Sequence, residues 1–317
     1  MTRIPVLKTY KLLINGAFPR TESGRSLPVL DKKGNVLAHI AHASRKDLRD
    51  AVEAARAAQH KWAAATAYNR GQILYRLAEM MEGKREELAE AIASVPSSEP
   101  RASARARAGA ASKRARSSTP SLRRSVSPSL SPSLEVSLAI DRVVHYAGWA
   151  DKYGQILGCN NPVAGPFYNF TSPEPTGIVV CLPPDEAPLL GLLSLAVPAL
   201  CAGNAVVTLA SETNPIPSMV LAEAAATSDM PGGILNILTG PRSELVPHIA
   251  PHRDVDAVHA ANLTADHNAA LRMGAAENLK RVTVREGVNF ADNDACNSPW
   301  WIEPFVEFKT MWHPVSA

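Results

Sequence analysis

Two adjacent carboxylates, Asp185 and Glu186, stand between two apolar runs in the stretch CLPPDEAPLL, residues 181–190. The first run is typical of a buried strand and the second of a buried helix. Open α/β sheets bind ligands where strands lead into helices, so the pair could act there as a general acid and base. Alternatively, both acids stabilise the N-terminus of the following helix through its macrodipole.

Three other residues have side chains suited to chemistry, but their settings favour structural roles. Cys296, in NDACNSP, has no His at a fixed nearby spacing to lower its pKa, which favours a free thiol over a nucleophile. His248 and His252 have the spacing of two metal ligands on one helical turn. Pro251 argues against a regular helix there, and no third ligand or HExxH context is present, so we predict no metal site.

The elements that would position these residues are repeated βα units. Apolar segments with strand character alternate with helical patterns at residues 177–182, 205–209, 234–238, 255–259 and 281–284. Such repeats predict an α/β fold with a doubly wound, Rossmann-like parallel sheet and helices on both faces. Asp185 and Glu186 then lie at the carboxyl end of the first strand.

Both ends of the chain contain further elements. Residues 10–18 predict a short strand and a turn at Asn15-Gly16, and a hairpin is expected around residues 33–35. Ser44 and Asp47 have the spacing of a capping box, so helices should begin there and continue to about residue 88. The segment 305–312, FVEFKTMW, is strongly strand-like. We expect this unpaired strand to pair with another subunit.

Residues 94–135 form a Ser-, Arg- and Pro-rich segment with seven Arg and one Lys against two Glu. This segment carries a net charge of +6 in a chain of +3, so the remaining residues sum to −3. It has no aromatic residue and too little apolar surface to offset chain entropy, which predicts disorder. It could be an unspliced or unnatural reading frame, a passive linker, or a basic arm that binds phosphates.

The bulk composition indicates a globular protein of about two domains. The 317 residues are 46% hydrophobic and 20% charged, and the four cysteines include no CxxC pair, which fits a reducing, cytoplasmic location. No signal peptide is visible at the start. The uncharged run 187–211 is interrupted by Pro198, Gly203 and Asn204, so we interpret it as a buried helix and strand, not a membrane span.

Several collinear stretches together resemble the NAD(P)-dependent aldehyde dehydrogenases. They are LLINGAF, KDLRDAVEAARAAQHKW, RGQILYRLAEMMEGKREELAEAIA, YAGWADK, PTGIVVCLPP, PALCAGNAVV, MPGGILNILTG and FVEFKT. The resemblance implies an N-terminal hairpin and helices at 1–93, the insert at 94–135, a cofactor-binding-type domain at 136–290, and a tail with an oligomerisation strand at 291–317. It also implies NAD or NADP as cofactor.

The resemblance places vestigial cofactor-binding positions at Pro184, Glu212 and Gly240. The family's phosphate- and ribose-binding Lys falls at Leu209, and its Thr-Gly-Ser turn falls at residues 261–263, Ala-Asn-Leu. These replacements weaken the expectation that NAD or NADP binds.

The catalytic positions are degenerate as well. Glu186 falls where the family has its oxyanion-binding Asn, and a carboxylate repels a developing oxyanion. Arg285 falls where the general-base Glu is expected, and Cys296 has the wrong neighbours and spacing for the nucleophile. With the catalytic domain essentially missing, the chain is similar to the shortened, non-catalytic second module of aldehyde dehydrogenase family 16.

The sequence therefore predicts a pseudoenzyme that serves assembly, as a homo-oligomer or with a catalytic aldehyde dehydrogenase module. One alternative is a residual NAD(P)-dependent oxidoreductase that acts on aldehydes. Another is a nucleotide-sensing or nucleic-acid-associated scaffold, although no aromatic platform or repeat supports nucleic-acid binding. We expect no membrane partner.

Overall fold

The computed structural model describes residues 6–95 and 130–315. The strands are β1 (Lys8–Tyr10), β2 (Ser26–Leu30), β3 (Val36–Ala41), β4 (Cys159–Asn161), β5 (Phe167–Pro175), β6 (Ile178–Leu182), β7 (Ala205–Leu209), β8 (Leu235–Leu238), β9 (Ala257–Ala261), β10 (Arg281–Arg285) and β11 (Val306–Pro314). The helices are α1 (Arg45–Ala64), α2 (Ala67–Gly83), α3 (Arg85–Ser94), α4 (Pro132–Ala147), α5 (Tyr153–Leu157), α6 (Leu190–Cys201), α7 (Ile216–Ala226), α8 (Arg242–Ile249), α9 (Ala265–Asn278) and α10 (Asn293–Cys296).

A five-stranded parallel sheet forms the centre of the molecule, in the order β10-β9-β6-β7-β8. Every residue of β6, β7, β8 and β9 is buried, as expected of strands covered by helices on both faces. Helix α6 is also buried along its whole length, which explains why its sequence carries no polar stripe. The predicted α/β class with a doubly wound parallel sheet is confirmed.

The capping box at the start of α1 is confirmed. The hydroxyl of Ser44 accepts the backbone N–H of Asp47 at 3.3 Å, and the Asp47 carboxylate accepts the backbone N–H of Ser44 at 2.7 Å. The predicted hairpin forms from β2 and β3, with Gly34 at φ +83° in its turn. The first strand, however, lies at Lys8–Tyr10, earlier than predicted, although the Asn15-Gly16 turn is present.

Helix α4 begins inside the segment 94–135, which we predicted to be disordered, so the C-terminal boundary of that segment is corrected. The hydroxyl of Ser131 caps the helix by accepting the backbone N–H of Leu134 at 3.3 Å, and Pro132 supplies the preorganised first turn. The capping contacts thus allow a helix to begin here despite the polar composition of the segment. Residues 96–129 lie outside the described residues, and their disorder stays a prediction.

Two smaller sheets have three strands each, in the orders β1-β3-β2 and β11-β5-β4. Strand β11 pairs antiparallel with β5 of the same chain along nine residues, from Val306 opposite Pro175 to Pro314 opposite Phe167. The prediction that this strand is unpaired within its own chain is therefore wrong. Its other edge has no strand partner among the described residues. Sequence patterns missed β4 and β5, since Pro173 and Pro175 obscure the alternation expected of a strand.

The apolar run 187–211 forms α6 and β7, as predicted. Across residues 6–95 and 130–315, no helix is both long and apolar enough to cross a membrane.

Candidate functional site

The candidate site is a crevice at the carboxyl ends of the parallel strands, where open α/β sheets bind ligands. The loop after β6 lies at its centre, with the loops after β7 and β8 on one side and those after β9 and β10 on the other. The order of the sheet reverses between β6 and β9, which makes this the topological switch point. The sequence analysis predicted this location for Asp185 and Glu186.

Asp185 forms a largely buried ion pair with Arg242, two residues after Gly240. Nη1 of Arg242 lies 2.9 Å from Oδ2 of Asp185, and Nη2 lies 3.0 Å from Oδ1. Oδ1 also accepts hydrogen bonds from the Ser211 hydroxyl at 2.9 Å and from the backbone N–H of Glu212 at 2.8 Å. The Arg242 and Asp185 side chains are 10% and 21% exposed. The pair therefore joins the loops after β6, β7 and β8.

These contacts fix the ionisation of Asp185. Burial opposes its negative charge, but the Arg242 guanidinium and the hydrogen bonds from Ser211 and Glu212 outweigh burial and hold the pKa below its ordinary value. At neutral pH Asp185 is a carboxylate with no proton to donate, and both of its oxygens are engaged. This arrangement argues against the general acid–base hypothesis.

Glu212 contacts the start of α8. Its Oε1 accepts the backbone N–H of Arg242, the first residue of that helix. N–H groups at a helix N-terminus are the donors that usually bind a phosphate, and this one is taken by a carboxylate. Leu209, at the end of β7, is fully buried, so no cation lies where the resemblance expects lysine.

Glu186 lies at the switch point and accepts a hydrogen bond from the side-chain amide of Asn262, in the loop after β9. The same amide accepts, through Oδ1, the backbone N–H of Gly287 at 3.1 Å. The backbone N–H of Asn262 donates to the carbonyl of Arg285 at 3.0 Å. Asn262 has a φ of +50°, which asparagine tolerates better than most residues. This amide joins the loops after β6, β9 and β10.

Neither crevice carboxylate accepts a hydrogen bond from the N-terminus of α6, so neither is its hydrogen-bonding cap, whereas their interaction with the helix macrodipole stays a prediction. The cap is supplied by Glu135 of α4, whose Oε1 accepts the backbone N–H groups of Leu189 at 3.0 Å and Leu190 at 3.2 Å. Burial raises the pKa of Glu135, although these two hydrogen bonds favour its charged form. Glu135 was not expected to cap a helix, because it lies in the segment predicted to be disordered.

Arg285, which the resemblance is expected to place at the family's general-base position, packs as a cation on the ring of Trp301, with its guanidinium carbon 3.5 Å from the ring centroid. Its Nε donates to Nε2 of His259 at 2.7 Å. Nε2 is therefore the acceptor, and the ring proton lies on Nδ1, 2.9 Å from the carbonyl oxygen of Leu195. Burial lowers the pKa of Arg285 to about 10. The group stays protonated at neutral pH and cannot accept a proton.

Cys296 is fully buried at the end of α10. Its sulfur lies 3.6 Å from the carbonyl oxygen of Asn289, and burial raises the pKa of the thiol even though Arg142 is near. The hydroxyl of Tyr146 donates to the backbone carbonyl of Cys296 at 2.7 Å. A buried, protonated thiol is a poor nucleophile, which supports the free-thiol interpretation.

The two histidines considered as metal ligands do not form a site. His248 lies in α8, whereas His252 follows the helix and its Nδ1 accepts the backbone N–H of Asp254 at 3.2 Å. Within the described ranges, no cluster of three or more His, Cys, Asp or Glu side chains could hold a metal ion.

The remaining predicted cofactor positions shape the backbone around the crevice. Pro184 is buried, and its ring packs against Gly191, where a Cβ would lie only 2.7 Å from it. Gly240 has a φ of +141°, a conformation that glycine adopts at no steric cost. Arg242, two residues further on, was not singled out from the sequence, because its partner Asp185 is 57 residues away and no spacing rule connects them.

The sheet order, the parallel strands and the position of the crevice define a doubly wound α/β protein of the dinucleotide-binding type. The aldehyde dehydrogenase family profile matches residues 20–133 and 122–291, in two overlapping segments. The chain belongs to the aldehyde dehydrogenase family. The match ends before β11, so it does not extend to the strand-like FVEFKT segment.

Individual relatives agree with this assignment. The mitochondrial aldehyde dehydrogenase family 2 member B4 of Arabidopsis thaliana is 31% identical over 280 residues, which are 87% of this chain and 46% of that protein. The mitochondrial benzaldehyde dehydrogenase of Antirrhinum majus is 31% identical over 287 residues, 89% of this chain and 48% of its own length. The chain thus spans about half the length of these relatives.

Solved structures give the same result. An aldehyde dehydrogenase mutant from Bacillus cereus superposes with a TM-score of 0.73 at 26% identity, covering 87% of this chain and 50% of that one. A mutant of aldehyde dehydrogenase C from Pseudomonas syringae, in complex with NAD⁺ and octanal, gives a TM-score of 0.70 at 25% identity, covering 87% and 50%.

Family resemblance suggests a nicotinamide cofactor, but the residues of the crevice do not fit one. A dinucleotide needs N–H donors or cations facing its phosphates. Here the first N–H of α8 faces Glu212, the guanidinium of Arg242 faces Asp185, and Leu209 offers no charge. Two surface cavities of the described residues lie elsewhere, one near Lys46 and one between α2 and α4.

Proposed function

We propose that the chain is a non-catalytic module of the aldehyde dehydrogenase family that serves in assembly. The observation that carries this proposal is the environment of Arg285. A protonated guanidinium that stacks on Trp301 and donates to His259 cannot take a proton from water or from a thiol.

The surroundings of Glu186 support the same proposal. An oxyanion needs preorganised donors, and the side chain at this position is instead an acceptor that already receives the amide of Asn262. The third component, a reactive thiolate, is also unsupported, because Cys296 is buried and its pKa is raised. The nucleophile, the base and the oxyanion donor are each replaced by a structural contact.

We further propose that the chain is similar to the shortened, non-catalytic second module of aldehyde dehydrogenase family 16. The short connection between β10 and β11 supports this more specific proposal. Only residues 286–305 separate the two strands. Phe290, Trp301 and Phe305 from this connection are buried, and the Trp301 and Phe305 rings lie 5.7 and 4.6 Å from the ring of His259. In this proposal the connection covers the face of β9 where a catalytic domain would otherwise pack.

The partner in this proposal is a second copy of the chain or a catalytically complete aldehyde dehydrogenase module. The observation that favours association is the outer edge of β11, which has no strand partner within residues 6–95 and 130–315, on a strand that carries Phe308 at 48% and Trp312 at 60% exposure. Exposed strand edges and exposed aromatic residues of this kind are commonly covered by a partner chain.

The test is formation of NADH from NAD, or of NADPH from NADP, by the purified chain with a panel of aliphatic and aromatic aldehydes, beside a Cys296→Ala variant. We expect the two proteins to give the same background rate. Reduction of the cofactor by the wild-type chain that is lost in Cys296→Ala would overturn the proposal and establish a residual oxidoreductase.

A further inference from the structure

We propose that the side chain of Arg242 takes the place of a dinucleotide, so that the crevice is occupied from within and binds neither NAD nor NADP. This inference rests on the proposed function in treating the crevice as a former cofactor site. It concerns binding, however, whereas the proposed function concerns catalysis, so the two can fail separately.

Arg242 by itself connects the central loop of the crevice, after β6, with the two loops after β7 and β8. Its guanidinium binds Asp185 in two places and also donates to the carbonyl oxygen of Pro183, both in the loop after β6. Its backbone N–H donates to Glu212 in the loop after β7, and Arg242 itself starts the helix after β8. A pyrophosphate bound at the start of this helix would have to reach the same three loops.

The charges in the crevice disfavour an anionic ligand. Glu212 accepts the first backbone N–H of α8, and Asp185 is paired with the guanidinium of Arg242, so both donors at this helix N-terminus already have an acceptor. A phosphate that enters must break the two hydrogen bonds between Arg242 and Asp185 and leave that carboxylate unpaired beside it. Both steps oppose binding, since like charges at close range repel in a partly buried site.

A second contact, between two exposed side chains, joins the loops on the other side of the crevice. The amide of Asn262 donates to Glu186 across the switch point between β6 and β9. The same amide holds the backbone N–H of Gly287 at 3.1 Å. The nicotinamide half of a dinucleotide would have to separate these loops, so both halves of the crevice are joined without a ligand.

The first arm of the experiment is calorimetric titration and thermal unfolding of the full chain with millimolar NAD and NADP. A ligand that binds only the folded state raises Tm in a concentration-dependent way, so we expect no heat of binding and an unchanged Tm. A saturable rise in Tm with either nucleotide would overturn the inference. If nucleotide binds but no Cys296-dependent NADH forms, the inference fails while the proposed function stands.

The second arm asks whether Asp185 and Arg242 act as a pair, using Asp185→Asn, Arg242→Gln, the double variant and the charge exchange Asp185→Arg with Arg242→Asp. We expect each single variant to lower Tm by roughly 5 °C or more, with the double variant no worse than either single one. The surface pair of Arg25 and Glu244, about half exposed, serves as the control, and Arg25→Gln should leave Tm nearly unchanged.

Additive losses in the double variant would show that the two side chains act independently, and this would overturn the proposed role of Arg242. Recovery of Tm in the charge-exchange variant supports it. These stability readouts do not depend on activity, so a catalytically inert chain remains informative.

Discussion

Asp185 lies in a crevice where open α/β sheets bind ligands, yet both oxygens of its carboxylate are engaged within the chain. It lies at the end of β6, as its position in the sequence predicts, yet its partners are Arg242, Ser211 and the backbone of Glu212. Its carboxylate is committed to holding loops together. Arg285 and Glu186 are likewise engaged in structural contacts, Arg285 with Trp301 and His259 and Glu186 with Asn262.

Because the pKa of Asp185 is lowered in the folded chain, we expect the free energy of unfolding to decrease at acidic pH. Because the folded pKa lies below the unfolded value of about 3.9, the stabilisation is complete above that value and is lost as pH falls through the folded pKa. At neutral pH, Asp185→Asn should lower the free energy of unfolding by about 3 kcal/mol, because it leaves the buried Arg242 charge unpaired. Denaturant titration measures this loss as a lower midpoint concentration. The difference from wild type should shrink below about pH 4, where the wild-type carboxylate also becomes protonated. A difference independent of pH would contradict this account.

Arg285→Ala should destabilise the chain by about 1–3 kcal/mol, because it removes the cation from the face of Trp301 and leaves Nε2 of His259 without a donor. Urea denaturation followed by Trp fluorescence measures the change. Arg253→Ala, at an exposed arginine, is the matched control and should be neutral within about 0.5 kcal/mol. Equal effects of the two substitutions would show that the stacking contributes nothing specific.

At the scale of elements, α4 and α6 are joined by a contact that no local pattern reveals. Glu135 lies on α4, is 3% exposed, and caps α6 through Leu189 and Leu190. Helix α6 is apolar from end to end and supplies no side-chain cap of its own. A neighbouring helix therefore provides the acceptor that its N-terminus requires.

The pair Glu135→Gln and Glu135→Ala separates hydrogen bonding from charge at this cap. The glutamine oxygen can still accept, so Glu135→Gln should match wild-type stability near pH 4, whereas Glu135→Ala should lose about 1–3 kcal/mol through unpaired backbone donors. Since burial raises the folded pKa above the unfolded value, wild-type stability should fall relative to Glu135→Gln as pH rises past about 4.3. Denaturation midpoints across pH 4–8 measure both effects. A glutamine variant as unstable as the alanine variant would contradict the cap.

Strand β11 makes a prediction about association. Sedimentation velocity at micromolar concentration should show an oligomer, and Phe308→Lys should shift it toward monomer by placing a charge beside the open strand edge. Leu30→Lys, at a 45% exposed residue of a different sheet, is the matched control and should leave the distribution unchanged. A well-behaved wild-type monomer would contradict the expected association.

At the scale of the whole molecule, the central sheet follows from the sequence because β6, β7 and α6 are buried on all sides and therefore read as continuous apolar runs. The Ser44 and Asp47 capping box is predictable for a different reason, since it depends on residues three apart. Strand β5 was missed because prolines interrupt it and its pairing partner β11 is distant in the chain.

In the candidate site, too, local features are predictable from the sequence and long-range contacts are not. The location of Asp185 and Glu186 follows from the βα pattern, whereas the partners that determine their chemistry do not. Arg242 and Asn262 meet these acids only after the sheet has formed, across 57 and 76 residues of chain. Residue type and local spacing therefore predict where the crevice lies, whereas its internal contacts become visible only in the tertiary structure.

The measurement that tests the central claim most directly is NADH formation at enzyme concentrations equal to those of NAD and aldehyde, where even a single slow turnover is visible. The account predicts no NADH above a Cys296→Ala control over several hours, because Glu186, Arg285 and Cys296 are all held in structural contacts. Formation of about one equivalent of NADH by the wild-type chain, lost in Cys296→Ala, would contradict the account.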